Sequence, residues 1–355
     1  MKKYFSIVFM LLLIFIFSSC SSNEKFNDDS SIPSVEPSIE PSTPSTEPSV
    51  EPSVPSTEPS IEPSVETSMP SLELSQESSI ESLVSSEEGN GKVILTFNDA
   101  YYDNLNGELD LNFKMKLHNL LEETHTYHPS YTPGTWEILS EADKDPNNNN
   151  NVLCIYTGRS IPVADRDGSS SASVLWNREH VWPKSLGFKN NSMTAHNDCH
   201  HLHASEKGIN STRGNKDFGE VSNGSRDSYG NSWNSSYFEP RDEVKGDIAR
   251  SILYMVVRYD GDTCKNCELD LEMVDGVADT GSVESGVKGY IGDIDTLIKW
   301  HYEDPVSEEE KNRNEIVYSY QKNRNPFIDH EEFVAYLYTE IASLYTSIEG
   351  LEYLM

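Results

Sequence analysis

The sequence predicts an α+β domain, rich in helix, with a small strand–strand–helix unit at its middle. Three observations point there. Apolar residues recur at helical spacing over 109–124 and 244–259 and again after residue 293. Between these stretches the apolar runs are short and closed by Gly or Pro, as strands are. Residues 1–90 show neither pattern, which confines the folded part to residues 91–355.

From Leu109 to Thr124, the residues Leu111, Phe113, Met115, Leu117, Leu120 and Leu121 fit an amphipathic helix better than a strand. Asp145-Pro146 and the Asn run 147–151 predict a loop, and Val152 to Tyr156 a short buried strand closed by Gly158. Residues 165–172 are small and polar, hence a loop. Val174 to Trp182 reads as extended chain, ended by Pro183. After a loop over 184–197, His200 to His203 forms the second strand. Glu206 to Asn215 suits a short helix, with Ser205 as its N-cap and Gly214 near its end. Gly219 to Asp242 is Gly-, Ser- and Asn-rich and predicts irregular chain. Val244 to Tyr259 is a helix with Ile248, Ile252, Met255 and Val256 on one face. Further helices are expected at 293–303, 307–323 and 331–348.

The leader has two parts. Lys2 and Lys3 precede an apolar run from Tyr4 to Phe17 broken only by Ser6, the length of a signal-peptide core and short for a bilayer span. It ends Phe17-Ser18-Ser19-Cys20, which resembles a bacterial lipobox. That implies a lipid on Cys20 and attachment to the outer face of the cell membrane. The other reading is an ordinary secretory signal. Residues 21–90 repeat Pro-Ser-(Val/Ile/Thr)-Glu, with a formal charge of −14. Frequent Pro forbids helix and ladder, and like charges repel, so this is an extended tether with a reach of at most roughly 200 Å.

The chain carries a formal charge of −32, of which −20 falls on residues 91–355. Nucleic-acid surfaces are usually basic, so this balance argues against tight non-specific binding over a broad face and confines such binding to one cleft. Cys154, Cys199, Cys264 and Cys267 follow Cys20. Cys264-Lys265-Asn266-Cys267 predicts a small disulfide loop or unpaired thiols; a zinc ribbon lacks its second pair.

The chemistry concentrates between Trp176 and Asn215. His180 has an imidazole that takes a proton at neutral pH. Glu179 is a hard oxygen ligand for a divalent cation, and Asn210 can add a neutral carbonyl oxygen. Neighbours on a regular strand face opposite ways, so a site shared by Glu179 and His180 predicts irregular backbone there. Arg213 lies one turn from Asn210, on the same helix side, and could grip a phosphate in bidentate fashion. Asn215 falls elsewhere and reads as a capping or packing residue. Asp198, His200, His201 and His203, beside His196 and Cys199, raise a zinc reading. Crowded histidines do not by themselves give a closed tetrahedral set, and support of the site from behind is the better reading of Asp198 and His200.

Taken together, Glu179-His180-Val181-Trp182-Pro183, then Asp198-x-His200-His201-Leu202, then Asn210-x-x-Arg213-Gly214-Asn215 resemble the bacterial endonuclease I family. Gly246-Asp247-Ile248-Ala249-Arg250 and Asn323-Arg324-Asn325-Pro326-Phe327-Ile328-Asp329 extend the resemblance over about residues 98–340. It implies a helix-rich domain around a ββα-metal (His-Me finger) core and a non-specific endonuclease. It implies His180 as general base and Glu179 and Asn210 as ligands of Mg²⁺ or another divalent cation such as Ca²⁺ or Mn²⁺. Substrates would be DNA and RNA, with 5′-phosphate products. His201 stands where the family often has Asn, and Ala204 where it often has Pro. An Arg that some members carry between the first two motifs has only Lys184 and Lys189 to answer it here. The alternative from another class is a non-catalytic surface lipoprotein that binds a ligand. No obligate protein partner is implied.

Overall fold

The structure, a computed structural model, describes residues 85–86, 93–262, 269–278 and 288–346. The signal segment 1–20 with Cys20, the tether up to residue 84, and Cys264 and Cys267 lie outside the described residues. Ser85–Ser86 pairs antiparallel with Val93–Leu95, so ordered pairing begins inside the stretch read as tether. The domain is α+β, with helices around several small sheets.

The helix Lys245–Arg258 is its spine. All of its residues except Lys245 and Asp247 are buried, Arg250 and Arg258 among them. It packs on Ile294–Glu303 and on Phe113–Thr124. Its buried Arg250 meets Glu310 through two bonds, Nε to Oε1 at 2.7 Å and Nη2 to Oε2 at 2.6 Å. Glu310 also closes a capping box with Ser307 at the start of the helix Glu308–Gln321. One carboxylate therefore starts a helix and clamps it to the spine.

Two apolar clusters result. The larger gathers around Ile248, Ile252 and Met255 and includes Val181 and Trp182. The smaller holds Trp136, Leu139, Val152, Trp176, Leu202 and Ala204. The strands Trp176–His180 and Leu202–Glu206 pair antiparallel, with Trp176 opposite Glu206 and His180 opposite Leu202, and the helix Lys207–Arg213 follows at once. This expected strand–strand–helix unit bridges the clusters: the strand starts in one with Trp176, and the chain just past it enters the other.

Several expectations are corrected. The Asn run is not a loop but belongs to the strand Asn148–Leu153, the middle of a three-stranded sheet. Antiparallel pairing with Lys144–Asp145 on one side and Ser160–Pro162 on the other outweighs the low strand propensity of Asn. The second site strand starts at Leu202, because the Asp198 carboxylate accepts the His200 N–H at 3.0 Å and makes a turn there. Glu206, not Ser205, stands at the N-cap of the site helix, and its side chain makes no cap bond. Residues 217–239 contain four short strands that form one sheet. The last expected helix is broken into Phe333–Leu337 and Thr339–Ala342. The helix Gly134–Ala142 and the parallel pair Asp270–Val274 and Lys288–Gly292 have no counterpart in the sequence-based expectations.

Candidate active site

His180, Glu179 and Asn210 line one open cavity of about 610 Å³, together with Tyr131, Arg178, Lys184 and Asn215. No irregular backbone is needed to bring them together. The Trp176–His180 strand is regular, with a five-residue register to its partner. The Leu202–Glu206 strand covers only one of its edges. On the other edge the Trp176 carbonyl accepts from Asp167 N at 2.8 Å, the Arg178 carbonyl from Asn210 Nδ2 at 3.3 Å and the His180 carbonyl from Arg213 Nη1 at 2.8 Å. The site helix is thus docked onto the free strand edge by two side chains one turn apart. Side chains from both strand faces meet the cavity at this edge.

The orientation of His180 follows from one bond. Its Nε2 lies 3.0 Å from the His196 carbonyl oxygen, which can only accept. The ring proton is therefore on Nε2, and Nδ1 keeps its lone pair. The residue is only 7% exposed. Burial first, then the neighbouring His201, His196 and Lys184, push the imidazole well below its ordinary value and keep it neutral.

Glu179 is buried as well. Its Oε1 accepts from Tyr156 Oη at 2.7 Å and from Arg213 Nη1 at 3.0 Å. Neither bond uses Oε2. Burial pushes its carboxyl up, opposed chiefly by the Arg213 guanidinium. Asn210 donates through Nδ2 to Asn177 Oδ1 at 2.9 Å and to the Arg178 carbonyl. Two acceptors fix the amide nitrogen, and Oδ1 takes part in neither bond. A carboxylate oxygen and an amide oxygen at one cavity wall form a hard donor pair that fits a divalent cation completed by water. Among the described residues no group of three His, Cys, Asp or Glu converges to hold a metal, so the histidine cluster gives no zinc cage.

Arg213 departs from the phosphate-gripping expectation. It is fully buried and spends its guanidinium on Glu179, the His180 carbonyl and the Val181 carbonyl, the last through Nη2 at 2.6 Å. It holds the strand end rather than a ligand. Asp198 and His200 sit behind the second strand. Asp198 accepts from Tyr254 Oη at 2.7 Å and Tyr259 Oη at 2.8 Å on Oδ2, and from Gln321 Nε2 at 2.9 Å on Oδ1. Burial would raise its carboxyl, but His125, His200 and the Gln321 bond outweigh that and hold it below the usual range. His200 Nε2 lies 3.0 Å from the Asn323 carbonyl, and neither residue lines the cavity. Asn215 neither caps nor packs; it is exposed at the cavity rim. Gly214, at φ 61°, ends the helix where a side chain would be strained.

Sequence reasoning missed Arg178, Asn177 and Tyr131. Arg178 stands directly before the Glu179-His180 motif, but only the fold shows that it reaches the cavity. Cys154 and Cys199 are buried free thiols.

Residues 110–332 match the family model described as Endonuclease I. The chain is 42% identical over 236 residues to an extracellular ribonuclease of Bacillus amyloliquefaciens, covering 66% of this chain and 76% of that protein. It is 41% identical over 236 residues to an extracellular ribonuclease of Bacillus subtilis (strain 168), covering 66% of this chain and 77% of that protein.

Proposed function

Since the chain belongs to the endonuclease I family, and is thereby a phosphodiester-cleaving nuclease, we propose that it is an extracellular, non-specific endonuclease acting on DNA and RNA. The proposal includes His180 as general base, Glu179 and Asn210 as ligands of one divalent cation, Mg²⁺ in the first instance, and 5′-phosphate products. The observation that carries it is the placement of a neutral, oriented imidazole beside a hard oxygen pair in one cavity. The ββα-metal reading rests on the antiparallel strand pair and the helix that follows it.

His180 Nδ1 takes a proton from the attacking water. The His196 carbonyl holds the other ring nitrogen and gains a charge-assisted bond as the ring becomes positive. Arg213 opposes the push of burial on the Glu179 carboxyl and fixes the backbone of His180 and Val181, so base and carboxylate stay in register. When bound, the divalent cation offsets negative charge on the phosphate as the bond breaks. Backbone recognition at such a site carries little base information, in keeping with low sequence specificity. The relatives' printed names favour RNA among the substrates. We place the enzyme outside the cell, anchored through a lipid on Cys20 and held off the membrane by the acidic tether; the sequence of residues 17–20 and the repeats of 21–90 support that.

The test is degradation of plasmid and RNA by the purified full chain, with Mg²⁺ or with EDTA, beside His180→Ala. Metal-dependent cutting that disappears in the variant is expected. A folded, metal-supplied wild type that cuts neither substrate would overturn the reading in favour of a binding lipoprotein.

A further inference from the structure

Four arginines of this acidic chain are paired where Arg178 is not, and Arg258, also buried without a carboxylate contact among the described residues, does not line the His180 cavity. Arg213, Arg250, Arg313 and Arg324 each meet a carboxylate, at 3.0, 2.6, 2.7 and 2.6 Å. Arg178 is half-buried and has no acidic partner among the described residues; the charged neighbour felt most is Arg166, of the same sign, after the ring hydroxyl of Tyr131. Burial first, with Arg166 adding to it, pushes its guanidinium below the ordinary value. In a domain with a large excess of Asp and Glu, an unpaired cation beside a catalytic cavity needs an explanation.

The rest of its surroundings set its position. Nη1 donates to the Tyr131 carbonyl, to Thr132 Oγ1 at 3.2 Å and to Thr135 Oγ1 at 3.0 Å. The guanidinium carbon stands 3.4 Å from the Tyr131 ring centre and 4.1 Å from that of Trp136. Three acceptors sharing the two Nη1 hydrogens, two aromatic rings and the Tyr131 hydroxyl fix the plane, and none of these partners is a carboxylate. Arg178 shares a strand face with His180, two residues on, and lines the same cavity. A carboxylate placed against it would compete with an incoming anion; its absence keeps the site open to one.

We propose that Arg178 is a substrate-binding residue, an anion site set in advance for a phosphodiester of the nucleic acid in the His180 cavity. The inference rests on the nuclease reading above and adds the cation that the sequence motifs left unassigned. It also answers the charge problem, because a local fork can hold a phosphate on an otherwise acidic protein.

The test uses the full chain as wild type and as Arg178→Gln, which removes the charge but can still donate to the Tyr131 carbonyl. Binding of a short labelled DNA single strand is followed by fluorescence anisotropy in EDTA across a salt series, and kinetics on the same strand are followed with Mg²⁺. The variant should bind on the order of 10-fold more weakly, with a salt slope shallower by about 0.7, the loss of one phosphate contact. With Mg²⁺, KM should rise about as much while kcat changes less. A folded R178Q with wild-type Kd, salt slope and KM overturns the proposal. Should R178Q not fold, Arg178→Lys decides: loss of the fork should weaken binding severalfold, and wild-type affinity overturns it. A wild type that neither binds nor cuts rejects the nuclease reading instead, so the two failures are distinguishable.

Discussion

Arg213 Nη1 lies 3.0 Å from Glu179 Oε1, and both side chains are at most 2% exposed. The arginine that the motif offers as a phosphate ligand is instead the counter-ion of the carboxylate beside the base. Arg213→Met would leave a buried carboxylate unpaired and free the His180 and Val181 carbonyls. That should cost about 3–5 kcal/mol of stability, read by urea unfolding. A variant as stable as wild type but with a raised KM would restore the phosphate role.

His180→Ala should lower kcat by about 10²–10⁴-fold. The His196 carbonyl loses one partner, and no charge is stranded, so the far-UV circular dichroism and the midpoint of unfolding should stay close to wild type. Calorimetric titration with a divalent cation should give a similar affinity, because neither assigned ligand atom belongs to this residue. Cutting at the wild-type rate would sink the assignment of the base.

Asn177 Oδ1 accepts from Asn210 Nδ2 at 2.9 Å and so orients the amide proposed as a cation ligand. Asn177→Ala should weaken cation binding by about 10–100-fold, as losses of orienting partners around metal ligands do. Asn210→Ala should weaken it at least as much. If calorimetry shows full affinity in both, Asn210 is not a ligand.

Acid should destabilise the fold. Burial pushes His125 and His301 down to about 3 and His200 and His201 to about 4. These groups are neutral in the folded state, while the unfolded chain binds their protons near pH 6.5. The unfolded state therefore holds more protons as pH falls below about 6.5, and stability present above that value is lost toward pH 4. A net loss of a few kcal/mol between pH 7 and pH 5 corresponds to a Tm drop of roughly 10 °C. An unchanged or higher Tm at pH 5 would show that relief of acidic self-repulsion dominates.

Asp198 accepts four bonds from three parts of the chain, so Asp198→Ala strands the Tyr259 hydroxyl in the core and takes the acceptor from that of Tyr254, which keeps only Asn323 Nδ2. A loss of about 3 kcal/mol or more is expected, with kcat per folded molecule near wild type. A selective fall in kcat at full stability would give Asp198 a direct part in the chemistry.

The sequence by itself determined the fold class and the family. Helical spacing placed the spine Lys245–Arg258 and the helices Phe113–Thr124 and Ile294–Glu303 that pack on it, because burial of one continuous core writes a periodic pattern. The three ordered motifs named His180, Glu179 and Asn210, which the fold brings to one cavity. Tertiary structure decided what surrounds them. Whether Arg213 meets a phosphate or Glu179 depends on which edge of a strand its helix docks against, and no local pattern encodes an edge. The same holds for Arg178: its acceptors at Tyr131, Thr132 and Thr135 lie more than forty residues away. The Asn148–Leu153 strand was illegible because ladder partners, not its own side chains, make it a strand. Local chemistry can be read along a chain; the pairing of charges and the choice of free edges arise only when distant segments pack together.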